Sequence, residues 1–102
     1  MSQTSYDIAS AKTVSTDLTE SERHRLLGDE RRRIVLDVLR TRSTPVSLSA
    51  LAMDVARRES DAGAPDESSL TRVEISLHHC HLPLMDDLGV LAYDRDAHRI
   101  TQ

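Results

Sequence analysis

The chain of 102 residues contains no Phe and no Trp, and only two Tyr, Tyr6 and Tyr93. Its core must therefore be built from Leu, Val, Ile, Ala and Met. Aliphatic side chains bury less area each than large aromatic ones, which keeps stability modest and favours dimerisation. A single cysteine, Cys80, excludes an internal disulfide. No apolar run approaches the roughly 18 residues that span a membrane. The N-terminal stretch MSQTSYDIASAKTVSTDLT is polar and lacks the apolar centre of a signal peptide. A Gly-rich phosphate loop, a metalloprotease motif and paired carboxylates on a clear scaffold are also missing. These absences argue against an enzyme, a cofactor and a membrane, and for one small soluble, cytoplasmic domain.

Lysine is nearly absent too. Lys12 is the only one, and the other twelve basic residues are Arg. Asp outnumbers Glu, and the net charge is −4. Scarce lysine with abundant aspartate points to a haloarchaeal or GC-rich source.

Residues 1–18 lack a sustained hydrophobic period and read as a flexible arm ahead of a domain over 19–102. Thr19 and Glu22 have the spacing of a capping box, which predicts a helix over about 20–27, stopped by Gly28. Asp29 is a good N-cap for a helix over about 30–42. Ile34, Val35, Val38 and Leu39 give that helix one buried face, and the run Arg31-Arg32-Arg33 reads as a solvated one. Pro45 breaks the chain. Val46 to Leu48 predict a short strand, and Ser47 or Ser49 caps a helix over about 49–59 with Leu51, Ala52, Val55 and Ala56 inward. Residues 60–68, SDAGAPDES, have the composition of a loop.

A further helix is predicted from Ser68 or Ser69. Leu70, Val73, Leu77, Cys80, Leu84 and Leu88 recur along it at helical steps, which makes Cys80 a small core residue. Ile75, Leu82 and Met85 fall off that line. Pro83 removes a backbone donor and predicts a kink, or two helices abutting near 81–83. Gly89 ends the helix. Val90 to Tyr93 is strand-like, Asp94 to Ala97 is a turn, and His98 to Thr101 returns. The fold class is therefore mainly α with a small β-hairpin, an α+β arrangement in the order of a winged helix-turn-helix domain.

The motifs carry a resemblance. LLGDERRRIVLDVL resembles the first-helix signature of ArsR-like winged-helix regulators. HLPLMDDLGVL resembles the His-Leu-x-x-Leu-x-x-x-Gly-Leu-Val run that ends their recognition helix, with Met85 at the third apolar position. VEISLHHCHLPLMDDLGVLAYD is more closely similar to a family of uncharacterised haloarchaeal winged-helix domains. The resemblance covers about residues 20–101. It implies a winged helix-turn-helix fold and double-stranded DNA as the expected partner. Two departures stand out: Pro83 lies in a run the regulators keep helical, and the expected recognition helix holds few basic residues.

A helix-turn-helix protein lays its second helix in the major groove. Arg72, Ser76 and His79 fall on one face of that helix. Arg72 can fork to guanine, and Ser76 or His79 can reach a base or a phosphate. Arg95 and Arg99 in the wing can meet phosphate or a minor groove. Against this, residues 68–102 set three arginines against five carboxylates. A transcription regulator acting as a homodimer is the expectation. The alternative is a protein-interaction winged helix, with Ile75, Leu82 and Met85 packing against a partner. His78, Cys80 and His81 are metal-ligating types in a dense run, yet too few face one way to close a zinc site. No metal is expected.

Overall fold

The computed structural model describes residues 18–60 and 63–102. The arm expected over residues 1–18 lies outside them, Leu18 excepted. Each of the first four helices starts where a polar side chain holds free amides. Helix α1, Glu20–Leu27, opens on a capping box in which Thr19 accepts from the Glu22 amide and Glu22 from the Thr19 amide. It ends at Gly28, where an added Cβ would lie 2.8 Å from the His24 carbonyl oxygen. The glycine is thus required by close approach. Asp29 caps α2, Glu30–Thr41, by accepting from the Arg31 and Arg32 amides.

Ser47 caps α3, Leu48–Glu59. Helix α4, Glu67–Ser76, starts on Asp66, one or two residues earlier than the sequence predicts. It continues without a break through a π turn, Leu77–His81, into α5, Leu82–Asp87. The helix closes on a Schellman arrangement. Gly89, at φ 80°, donates to the Asp86 carbonyl, and Val90 donates to the Met85 carbonyl.

Three short strands form one antiparallel sheet in the order β1–β3–β2. They are β1, Val46–Ser47, β2, Ala92–Asp94, and β3, Arg99–Thr101. Val46 and Tyr93 both stand opposite Ile100. These three side chains are buried while their neighbours face out, the alternation expected of a sheet covered on one side. Val90 and Leu91 are buried but precede the strand. The hairpin turn occupies 95–98, one residue later than predicted.

The core is aliphatic apart from Tyr93. Leu26, Leu39, Leu51, Leu77, Leu82, Met85 and Ile100 are its largest fully buried members. Two expectations are corrected. In α2, Leu36 is buried and Ile34 only half-buried. Beyond Leu77 the inward face shifts by one residue: His81, Leu82 and Met85 are buried, and Cys80 is exposed. The π turn is the cause. Leu82 donates to the Leu77 carbonyl, a step of five, which adds a residue to the turn and rotates the remainder of the helix. Pro83 lacks an N–H, so the carbonyl of His78 has no partner five residues on either; Pro83 sits instead in the first turn of α5, where a missing donor costs least.

The predicted solvated arginine run is a third correction. Arg31 makes a fork to Glu59, with Nε donating to Oε2 at 2.6 Å and Nη2 to Oε1 at 2.8 Å. Arg32 donates from Nε to the Leu26 carbonyl, from Nη2 to the Arg25 carbonyl, and from Nη1 to Nδ1 of His81 at 3.2 Å. Arg33 donates to the Leu27 carbonyl. The run therefore ties α2 to α3, to the carbonyl end of α1 and to the π turn. Cations meeting the last carbonyls of a helix satisfy acceptors that the helix itself leaves free.

Candidate nucleic-acid interface

Helix α4 packs against α3, and the π turn packs against both α3 and α4. Val73 and Leu77 point inward. The opposite face is open, with Ser68, Thr71, Arg72, Ile75 and His79 all exposed. Their spacing is that of one helical stripe. Arg72 donates from Nη2 to the Ser68 hydroxyl at 3.1 Å, which lays its guanidinium along the helix. Ser76 is half-buried at the margin of the stripe. Ile75 is 53% exposed and is the one large apolar side chain so placed among the described residues. Leu82 and Met85 are fully buried, so they offer no surface to a protein partner.

The hairpin stands against the π turn. Nδ1 of His78 lies 2.6 Å from the Tyr93 hydroxyl. The His78 ring makes edge contacts with His79, Tyr93 and His98 at centroid distances of 4.7, 5.8 and 5.2 Å. Desolvation pushes the His78 pKa down, and the nearby His79, His98 and Arg95 push it further; Glu74 opposes them. Burial raises the Tyr93 pKa. Arg95 and Arg99 are both exposed, Arg95 in the turn and Arg99 on β3.

The four ion pairs among the described residues are Arg31–Glu59, Arg40–Asp37, Arg42–Asp54 and Arg58–Asp37. All belong to α2, α3 and the turn after α2. Arg72, Arg95 and Arg99 take part in none. Two of the five carboxylates in this half are engaged by backbone. Asp94 accepts from the Asp96 and Ala97 amides, and Asp86 accepts from the Tyr93 amide. A groove between α3 and α4 is lined by Arg31, Glu59, Asp66, Ser69 and Arg72, among others. Its mixed charge does not favour an anion.

The three metal-ligating types of the His78–His81 run diverge. His78 turns to the hairpin, Cys80 to solvent, and His81 to Arg32 in the interior. No group of three or more His, Cys, Asp or Glu among the described residues has the geometry to hold a metal ion. No helix among them is long and apolar enough to cross a membrane.

Arg72 on α4 and His79 in the π turn thus lie on one exposed helical stripe, and Arg95 and Arg99 are exposed on the hairpin. His78 and His98 went unrecognised in the sequence. The only hint for His98 is its place at the end of a four-residue turn, where a left-handed residue is common. For His78 no local pattern distinguishes a ring facing the hairpin from a solvated one.

A helical body joined to a three-strand antiparallel sheet defines a small α+β domain. Residues 24–101 match the family described as Domain of unknown function (DUF7344), and the chain belongs to that family. No curated protein and no solved structure matches the chain.

Proposed function

We propose that the protein is a winged helix-turn-helix regulator of transcription, ArsR-like in type, which binds double-stranded DNA as a homodimer. In this reading α3 and α4 are the helix-turn-helix pair and the β2–β3 hairpin is the wing. The strand order supports it, because β1 ahead of the pair returns to the sheet beside β3. The exposed stripe of α4 supports it too, since the second helix of such a pair meets base edges in the major groove.

The observation that carries the reading is the exposure of three arginines on α4 and the hairpin. Arg72, Arg95 and Arg99 are exposed and, like Arg23, Arg25, Arg33 and Arg57 elsewhere, take part in none of the four ion pairs, so they can meet phosphate or guanine. The half that faces DNA remains net negative. A molar-salt cytoplasm, as in a haloarchaeal cell, screens that charge within about 3 Å. Binding there rests on base contacts and shape more than on counterion release.

The test is fluorescence anisotropy with mixed genomic DNA fragments, from low to molar KCl. Wild type is expected to bind saturably into high salt. Arg72→Ala is expected to weaken binding by about tenfold, within the range of one lost bidentate base contact. A folded protein that binds no DNA at any KCl concentration overturns the reading. Partner capture through Ile75 then becomes the function to pursue.

A further inference from the structure

We propose that His78, His79 and His98, with Arg95, form a phosphate-binding cluster at the junction of the π turn and the hairpin, and that this cluster takes up protons when a nucleic acid docks. The inference rests on the DNA-binding reading and adds to it a site and a form of control.

The geometry is a set of three imidazoles around one centre. The His78 ring touches His79 on its own helix at 4.7 Å and His98 from the hairpin at 5.2 Å, both edge to face. His79 and His98 are exposed. The charged and titratable groups facing His78 from the helix are Glu74 and His79. Those from the hairpin are His98, Arg95 and the Tyr93 hydroxyl. Glu74 acts on His78 and Asp94 on the adjoining Tyr93 hydroxyl, two carboxylates beside three imidazoles and a guanidinium. Desolvation, with His79, His98 and Arg95 close by, disfavours the charged form of His78 unless a counter-anion is present. A phosphodiester at the same place supplies the missing negative charge and favours the imidazolium forms.

The partners of the two inner histidines differ in a way that matters. His81 faces Arg32, which can only donate, so its Nδ1 must stay an unprotonated acceptor. His78 faces a tyrosine hydroxyl, which can donate to a neutral nitrogen or accept from a protonated one. The contact that positions His78 therefore survives its protonation. Backbone conformation provides an independent sign. His98 has φ 56°, the one non-glycine residue at positive φ among those described. Its carbonyl accepts from the Leu48 amide at 2.8 Å, which fixes the residue against the start of α3. A glycine or asparagine would take that conformation at less cost. In this conformation the His98 ring meets that of His78.

The direction of the pH effect is set by linkage. If docking raises imidazole pKa values, affinity must grow as pH falls through about 6.5. Each proton taken up contributes up to tenfold per pH unit in that window. The experiment measures Kd for a labelled pool of random duplexes at fixed KCl, from about pH 8 to about pH 5.5. Thermal melting at each pH establishes that the protein is folded. Wild type is expected to bind at least tenfold more tightly at the acid end. His98→Asn keeps a residue suited to the left-handed backbone. It is expected to melt at the same or a higher temperature, to match wild type at pH 8 within about twofold, and to lose most of the acid gain. His24→Gln, on exposed α1, is the control and keeps the wild-type pH profile. Binding that is saturable but independent of pH overturns the cluster and leaves the DNA reading standing. An acid gain that persists in His98→Asn overturns it equally. A folded protein that binds at no pH overturns both.

Discussion

At the residue scale, the arginines divide by what their guanidinium groups meet. Arg32 bridges three acceptors that lie six, seven and 49 positions away in sequence. A planar fork can do this where a lysine ammonium cannot. Its contact with His81 has a consequence for pH. Desolvation lowers the pKa of buried His81, and the Arg32 and Arg31 charges lower it further, against Asp29 and Glu59. The unfolded chain protonates this imidazole at about 6.5, the folded chain only at lower pH. Its contribution is complete above that value, where both states are neutral. As pH falls below about 6.5 the unfolded state takes up a proton the folded state refuses, and stability is lost. The denaturant midpoint is expected to drop between about pH 7.5 and about pH 5.5. In His81→Gln, whose side-chain oxygen can still accept from Arg32, that drop should be smaller; an unchanged slope would remove His81 as its source.

At the element scale, the local signals in the sequence were reliable and the non-local ones were not. Thr19 with Glu22, Asp29, Ser47 and Gly89 all act where the sequence puts them, because a cap needs only its own turn. The inward face of α3 was legible for the same reason. The start of α4 was not, since Asp66 competes with the serines after it. The arginine run was misread because Glu59 and His81 are brought to it by tertiary structure. On the candidate interface, Arg72, His79, Arg95 and Arg99 were legible as polar residues on exposed positions. The meeting of His78 with His98 was not, for it depends on how the hairpin lies against the helix. The largest misreading is the register past Leu77. A regular helix would place Cys80 inward; the π turn places it outward. Leu77→Ala is therefore expected to cost about 2–5 kcal/mol in denaturant unfolding, as for other fully buried leucines. Cys80→Ser should change stability by less than about 0.5 kcal/mol. The Cys80 thiol of the native protein should react with a thiol reagent at the rate of an exposed cysteine. Protection of the thiol until the protein unfolds would contradict the register.

At the scale of the whole molecule, the four ion pairs among the described residues are confined to α2, α3 and the turn after α2, and Arg72, Arg95 and Arg99 lie outside them. If α4 and the hairpin meet DNA, the salt dependence of binding should be shallow. Three arginines per protomer correspond to a slope of log K against log salt of about −3, at about 0.9 for each phosphate neutralised. A KCl titration of the anisotropy signal measures it directly. A slope twice as steep per protomer would mean that further arginines, such as Arg23, Arg25, Arg33 and Arg57, which take part in none of the four ion pairs, also reach phosphate. The overall charge is −4, which repels nonspecific polyanions, so a bound nucleic acid must be held by specific contacts.

The π turn at Leu77–His81 has a consequence for how the sequence can change length. Each residue of an α-helix advances the direction of its side chains by about 100°. A one-residue deletion within the turn would restore a regular helix and swing everything before it by that angle relative to α5 and the hairpin. Val73 would leave the core. The extra residue thus sets the phase between two halves of one helix, and that phase, rather than any single side chain, decides which residues of each half face inward.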